Sequence, residues 1–190
     1  LKIAKESIFT GTNNFVSETI LSSRLSECFG FVQCEVNQIL ADAGIEGKAE
    51  MMKKWYDGYH FGSVDVYCPW DVMCYVQKLM TDSNAQPDNF WKNTSDNAVI
   101  RSFIDYAGAS ITKKFETLMD GGYIVQKVDE NLTYDYLHSS EENLWSMLYL
   151  TGYLTRLRDD EIGEALPEDT VALKIPNREI QELFVTEVSK

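Results

Sequence analysis

The amino-terminal stretch LKIAKESIFTGTNNF sets the strongest constraint on the fold of this chain. Ile3, Ile8 and Phe9 belong to an extended apolar run, and residues 10–14 have the composition of a turn. A single strand at a chain end is not stable alone, because its backbone groups and apolar side chains need a neighbouring strand. The sequence therefore predicts that this strand belongs to a larger sheet.

The amino-acid composition indicates the environment in which this chain folds. Of its 190 residues, 44% are hydrophobic and 12% are aromatic, which suffices for a packed core. No apolar run approaches the roughly 20 residues of a membrane span, so we expect a soluble cytoplasmic protein that does not contact membranes. The 17 basic and 30 acidic residues give a formal net charge of -13, which predicts repulsion of nucleic acid.

The four cysteines form two pairs, Cys28 with Cys34 and Cys68 with Cys74, and five residues separate the members of each pair. Zinc-binding cysteines usually lie about two to four residues apart, and no pair of histidines supports a metal site here. We therefore predict no metal ligand, and we favour buried free thiols in a reducing cytoplasm over disulfides.

Apolar residues at helical spacing predict a helical region over residues 16–108. Helices are expected over residues 18–40, with a break at Gly30, and over residues 48–56. The second of these would turn four side chains inward: Met51, Met52, Trp55 and Tyr56. A further helix should begin at Pro69, and its predicted core-facing stripe is Val72, Tyr75, Val76 and Leu79.

The stretch WYDGYHFGSVDVYCPWD carries a dense aromatic motif around a tight turn at Asp57 and Gly58. Aromatic side chains beside glycine and proline usually form a small core beneath a loop. We expect one buried cluster made of Trp55, Tyr59, Phe61 and Trp70. A surface that stacks a base or another ligand is the alternative interpretation.

Residues 109–176 are predicted to follow the element order of a winged helix, including a small β-hairpin, and a last helix is expected over residues 178–188. Winged helices often place their third helix in the DNA major groove. The corresponding helix here, SEENLWSMLYLTG, has no basic residue, and the loop DDEIGEALPED is strongly acidic. Because only Arg156 and Arg158 are basic nearby, we expect no direct DNA binding by this face.

No catalytic residue is predicted in this chain. It lacks the G-x-x-x-x-G-K-[ST] loop that cradles a nucleotide triphosphate, so we do not expect ATP hydrolysis by the chain alone. Asp42, Glu46 and Lys48 match a nuclease pattern, but the flanking glycines place them in a loop instead of on the strand this chemistry needs. His60 and His138 have no partner pattern and are interpreted as structural.

Six blocks of sequence resemble the bacterial AAA-ATPase-like family in the order in which that family has them. The blocks are KESIFTGTNNF, FGFVQCEV, WYDGYHFGSVDVYCPWDV, FWKNTS followed by Asn97, ENLWSMLYLTGYLT and LKIPNREI. Proteins of this family commonly carry a PD-(D/E)XK nuclease-like domain at the carboxyl terminus. The resemblance implies that the chain follows a missing nucleotide-binding half, to whose sheet the first strand would belong. ATP and Mg would bind that half of the parent protein, and this chain would hold no cofactor.

The resemblance also implies roles for individual residues. Lys2 falls where similar proteins often have an arginine or lysine, close after the strand expected to sense the nucleotide, so it is a candidate for the nucleotide edge. Cys68 stands where the family more often has asparagine, which removes a polar side chain before Pro69. The other matched positions form a structural motif: Trp55, Tyr56, Asp57, Gly58, Tyr59, Phe61, Pro69, Trp70, Asn93, Thr94, Ser95 and Asn97.

Together with the helix and strand patterns, the resemblance implies that the chain has four parts. They are a terminal strand of a truncated ATPase core (residues 1–15), a helical lid-like region (16–108), a winged-helix-like subdomain (109–176) and a helix toward a missing carboxyl-terminal domain (177–190). The expected function is that of a regulatory or coupling module of an AAA-type ATPase, whose partners are the two missing domains. A stand-alone module that binds a protein or peptide is the alternative, and self-association through the terminal strand is also expected.

Overall fold

The computed structural model of the chain describes the following residues: 24–91, 100, 108–129, 132, 140–163 and 165–188. Several predicted features lie outside them: the terminal strand with Lys2, the motif residues Asn93, Thr94, Ser95 and Asn97, and His138. The described part is mainly helical with two small antiparallel sheets, so the predicted mainly α, α+β class is confirmed. None of its helices is long and apolar enough to cross a membrane.

Residues 24–91 form a helical region that also contains a β-hairpin. Its elements in order are a 3₁₀ helix (Ser26–Phe29), α1 (Gln33–Asp42), a second 3₁₀ helix (Glu46–Lys48), α2 (Ala49–Tyr56), β1 (Tyr59–Phe61), β2 (Val64–Val66) and α3 (Pro69–Thr81). The break expected at Gly30 is confirmed, because the backbone of Phe31 leaves the helical path and exchanges two hydrogen bonds with Tyr67 (3.1 and 2.8 Å). The hairpin was not expected in the aromatic stretch.

The core of the helical region lies between α1, α2 and α3. Its buried residues are Val36, Leu40, Met52, Tyr56, Tyr67, Val72, Tyr75, Val76, Leu79 and Ala85. The stripe predicted for α3 is therefore confirmed, as is its start at Pro69. The prediction that Met51 faces inward is wrong, because α2 buries Met52 and Tyr56, four residues apart, and leaves Met51 39% exposed.

Residues 108–188 form a sheet region around three antiparallel strands. Its elements are α4 (Ala109–Met119), β3 (Ile124–Lys127), α5 (Glu141–Leu150), β4 (Thr155–Arg156), a 3₁₀ helix (Asp159–Glu161), β5 (Thr170–Lys174) and α6 (Arg178–Val188). Strand β5 lies between β3 and β4. Helix α5 begins as its sequence predicts, because the Ser140 hydroxyl accepts a hydrogen bond from the Asn143 N–H (3.2 Å).

Helix α6 completes the core of the sheet region. Its residues Ile180, Leu183 and Phe184 are fully buried, together with Trp145 of α5 and Leu173 of β5. The helix expected to lead toward a further domain thus packs along most of its length inside this chain. It also contacts α2, which brings the helical region and the sheet region together.

Candidate functional site

The aromatic motif lies where the helical region meets the sheet region. Tyr56 is fully buried at the end of α2, and its ring centroid is 5.6 Å from that of Tyr75 and 5.8 Å from that of Phe90. Its hydroxyl donates a hydrogen bond to the Asp88 carbonyl (3.0 Å) and accepts one from the Asp88 N–H (3.1 Å). These contacts fix residues 88–91 against the helical core.

The prediction of one buried cluster is wrong for Trp70, whose side chain is 56% exposed on α3. The reason is helical geometry, because Val72 and Val76 point into the core and successive residues are about 100° apart, which turns position 70 outward. Tyr59 is buried, and its ring centroid lies 6.1 Å from that of Phe61. Trp55 is half-buried, and the ring that it contacts is that of Tyr56, with the two ring centroids 6.2 Å apart.

The turn after α2 touches the segment that leads into α6. Gly58 has a φ of 105°, a conformation that favours glycine, and a Cβ at this position would overlap the Pro176 carbonyl oxygen. Two residues later, the His60 N–H donates a hydrogen bond to the Thr155 hydroxyl oxygen (2.8 Å), which joins β1 to β4. Backbone atoms of the two regions are therefore in direct contact.

A pair of buried acidic residues lies beside these contacts. Asp71, in the first turn of α3, and Glu179, in the first turn of α6, are both 0% exposed. The Oε1 atom of Glu179 accepts hydrogen bonds from the backbone N–H groups of Phe90 (2.6 Å) and Trp91 (3.0 Å). Its Oε2 atom and both oxygens of Asp71 have no hydrogen bond of standard geometry with any described residue. We call Asp71 and Glu179 the carboxyl pair.

The carboxyl pair is surrounded by neutral polar groups. Burial raises the pKa of the Tyr59 hydroxyl well above its usual range, and the carboxyl pair adds to this rise. Burial, followed by the charge of Asp71, raises the pKa of the Cys68 thiol to about 12. The amide nitrogen of Asn177 is buried near Tyr59 without a hydrogen bond of standard geometry. Tyr59 and Cys68 therefore stay protonated at neutral pH and contribute no charge.

The two carboxyls affect each other directly. Burial raises the pKa of Glu179, and the negative charge of Asp71 raises it further, while the two backbone N–H donors lower it. Burial also raises the pKa of Asp71, partly offset by the nearby Cys68, Glu179 and Trp91 side chains. Since neither carboxyl is accessible to a substrate, this arrangement can hold a proton and position backbone, but it cannot act on a solute. The described residues also contain no group of three or more His, Cys, Asp or Glu that could hold a metal ion.

A second contact between the regions is a charged bridge on the surface. The Asp65 carboxylate lies 2.7 Å from His60 Nδ1 and 3.1 Å from an Arg158 guanidinium nitrogen. Glu161 lies 3.6 Å from Arg158 and 2.8 Å from Lys174 Nζ. We call these five residues the charged bridge, which ties β1 and β2 to the loop after β4.

The other residues singled out in the sequence belong neither to the carboxyl pair nor to the charged bridge. Arg156, the second basic residue near the acidic loop, pairs with Asp159 at 2.7 Å. Asp42 ends α1, and Glu46 and Lys48 lie in the 3₁₀ helix between α1 and α2, so these residues are not on a strand, as predicted. The four cysteines are free, but the prediction that they are buried is wrong, because Cys28 and Cys34 are exposed and the other two are half-buried.

The sequence patterns did not predict that Glu179 is buried or that it belongs to the site. The segment before it reads as an ordinary helix start, in which the Asn177 side-chain oxygen accepts a hydrogen bond from the Ile180 N–H (3.1 Å). An acidic residue in the first helical turn usually interacts with the helix dipole in solvent, so nothing local reveals its burial. Only the approach of residues 88–91 to α6 creates that environment.

No protein-family model matches the chain, and no solved structure matches it significantly. A curated relative from Azotobacter chroococcum mcd 1, described as "Uncharacterized protein in vnfD 5'region", is 30% identical over 77 residues. The match covers 40% of this chain and 15% of the relative. The chain thus matches a small part of a much longer protein, and the AAA-ATPase-like resemblance stays a prediction.

Proposed function

We propose that this chain is the helical and winged-helix portion of an AAA-type ATPase, and that it couples the nucleotide state to a downstream domain without catalysis of its own. The six sequence blocks support the family. The order of α4, β3, α5, β4 and β5 supports the winged helix, with β5 between the other strands and the β4–β5 loop in the position of the wing. The length of the matched relative fits a module within a larger protein.

The main support for this proposal is the set of contacts between the helical region and the sheet region. Glu179 holds the backbone of Phe90 and Trp91, and Gly58 touches Pro176. We call these contacts, together with the carboxyl pair and the His60–Thr155 hydrogen bond, the joint. Contacts of this kind are short and directional, so a displacement of the helical region is passed to α6 and β4.

The remaining roles belong to other parts of the parent protein. ATP and Mg would bind the upstream nucleotide-binding half, and the helical region would close over them as a lid. The downstream partner would be a nuclease-like domain. The chain alone would not hydrolyse ATP, because it has no phosphate-binding loop, and Lys2 is its candidate for the edge of the nucleotide site.

Hydrogen exchange of the longer natural polypeptide, with and without ATP and Mg, tests the coupling. We expect nucleotide to change the exchange of α6 and β4 amides, and Thr155→Val to weaken this response because it removes the acceptor of the His60 N–H. Thr117→Val on α4 is the matched control, since its hydroxyl donates a hydrogen bond to the Lys113 carbonyl in the same helix. If nucleotide leaves α6 unchanged, the coupling proposal is wrong.

The alternative, a module that binds a separate protein or peptide, is favoured by one feature of α3. Trp70, Met73 and Met80 are exposed large apolar residues, and their spacing of three and seven places them along one side of the helix. Exposed apolar stripes of this kind commonly mark contact surfaces. In the coupling proposal the same stripe would face another part of the parent protein.

Mild oxidation of methionine distinguishes the two proposals. In the isolated chain, Met73 and Met80 should be oxidised readily, whereas the buried Met52 and Met147 should resist and serve as internal controls. Protection of Met73 and Met80 in the longer polypeptide would support the coupling module. If Met73 and Met80 react as readily in the longer polypeptide as in the isolated chain, the rest of the polypeptide does not cover the stripe. That result would favour the alternative.

A further inference from the structure

If both groups of the carboxyl pair were ionised, three of their four oxygens would lack a well-placed hydrogen-bond donor. Oε1 of Glu179 receives two backbone N–H groups, but Oε2 and both Asp71 oxygens have no hydrogen bond of standard geometry with a described residue. The side chains that approach Asp71 as donors are the Cys68 thiol and Trp91. A buried carboxylate oxygen without a well-placed donor is costly. Asp71 and Glu179 contact each other closely enough to exchange a hydrogen bond. A single proton carried between them gives two of these three oxygens a partner.

The groups around the carboxyl pair can accommodate one negative charge but not two. The titratable groups that face it are Tyr56 at the end of α2, Tyr59 of β1, Cys68 before α3 and Cys74 on α3. All are neutral at ordinary pH, and the other close neighbours, Trp91 and Asn177, carry no charge. No cation is among the strongest neighbours of the pair in the described part of the chain. The first turns of α3 and α6 favour a negative charge, but each by a modest amount.

We propose that the carboxyl pair is a proton-linked switch in the joint, closed while Asp71 and Glu179 share one proton and opened when that proton is lost. Loss of the proton places two carboxylates side by side in a buried site. Their repulsion separates the first turns of α3 and α6, and it weakens the hold of Glu179 on residues 90 and 91. The switch concerns this chain alone and does not depend on the proposed ATPase.

The direction of the pH dependence follows from the protons bound. Burial raises the pKa of Asp71 from 3.8 to about 6 and that of Glu179 from 4.5 to about 8. Between the ordinary and the raised pKa, the folded chain binds more protons than the unfolded chain, so the free energy of unfolding falls as pH rises. The stabilisation is fully present below the ordinary pKa values and is lost as pH rises through the raised ones.

Thermal unfolding of the chain as a function of pH tests the switch, with Glu179→Gln as the main variant. Glutamine keeps an oxygen for the two backbone N–H groups, and its amide N–H group can donate to Asp71, which imitates the closed state at every pH. Between about pH 6 and about pH 9, we expect Tm of the wild type to fall on the order of 5 °C further than Tm of the variant. Glu182→Gln, on the exposed side of α6, should keep the wild-type profile.

Asp71→Asn provides a second, independent variant, because asparagine can also donate to the remaining carboxyl. A flattened pH profile in either folded variant supports the switch. Profiles of Glu179→Gln and Asp71→Asn that both run parallel to the wild type would overturn it. A lower Tm of both variants than of the wild type at about pH 9 would overturn it as well, since relief of the repulsion must stabilise the chain there.

Discussion

The joint and the charged bridge both connect the helical region to the sheet region, but the joint is buried and the charged bridge is exposed to solvent. In the joint, the carboxyl pair is fully buried among neutral groups, and Glu179 accepts hydrogen bonds from two backbone N–H groups. In the charged bridge, Asp65 and Arg158 are 37% and 45% exposed in their side chains and meet through flexible ends. Exposed ion pairs contribute little and weaken with salt, whereas buried contacts depend on shape and on protonation. The joint should therefore determine how the regions sit together.

Gly58→Ala should have the largest effect on the joint. Alanine would adopt an unfavourable φ at this position, and its methyl group would collide with the Pro176 carbonyl. We expect the free energy of unfolding to fall by about 2–5 kcal/mol, measured by denaturant titration. Gly47→Ala is the matched control, because nothing lies within 4 Å of a Cβ there, and it should change stability little. Equal effects of the two substitutions would show that the turn does not press on Pro176.

Glu179→Ala should have an intermediate effect. It leaves the backbone N–H groups of Phe90 and Trp91 without their acceptor, and it also removes the repulsion within the carboxyl pair, which offsets part of the loss. We expect a cost of about 1–3 kcal/mol at neutral pH, with faster hydrogen exchange at those two amides. Unchanged exchange at residues 90 and 91 would contradict their attachment to α6.

Arg158→Ala should have the smallest effect, since it removes only surface ion pairs, two within the charged bridge and one with Asp160. We expect a loss of about 0.2–1 kcal/mol that shrinks as salt is added, measured by denaturant titration at low and high ionic strength. A loss as large as that of Gly58→Ala, and insensitive to salt, would reverse the comparison between the bridge and the joint.

Local signals in the sequence account for much of the fold. Pro69, Ser140 and the stripe from Val72 to Leu79 each act through neighbours within one or two helical turns, and the corresponding helices lie where they were predicted. The last helix likewise occupies residues 178–188. The β1–β2 hairpin was missed because strands of three residues show too little alternation to be distinguished from a loop.

The candidate site could be predicted only in part. The turn at Asp57 and Gly58 carries its own signal, because glycine after a helix commonly adopts positive φ. The exposure of Trp70 follows from the predicted core-facing stripe of α3, so the local sequence contained it, whereas the burial of Glu179 depends on which neighbours α6 meets. That information lies in the packing of α3 and α6 with residues 88–91, and no short window of sequence contains it.

The most direct test of the joint is a carbon-13 NMR titration of the side-chain carboxyls in the chain, with the signals of the carboxyl pair assigned from Glu179→Gln and Asp71→Asn. We expect a signal, missing from Glu179→Gln, that titrates at about 8, far above the ordinary 4.5 of glutamate. We also expect Asp71→Asn to shift this titration downward, because a negative neighbour is removed. If every carboxyl titrates below about pH 5, as exposed carboxyls do, Asp71 and Glu179 do not form a buried pair and the joint is not held together in this way.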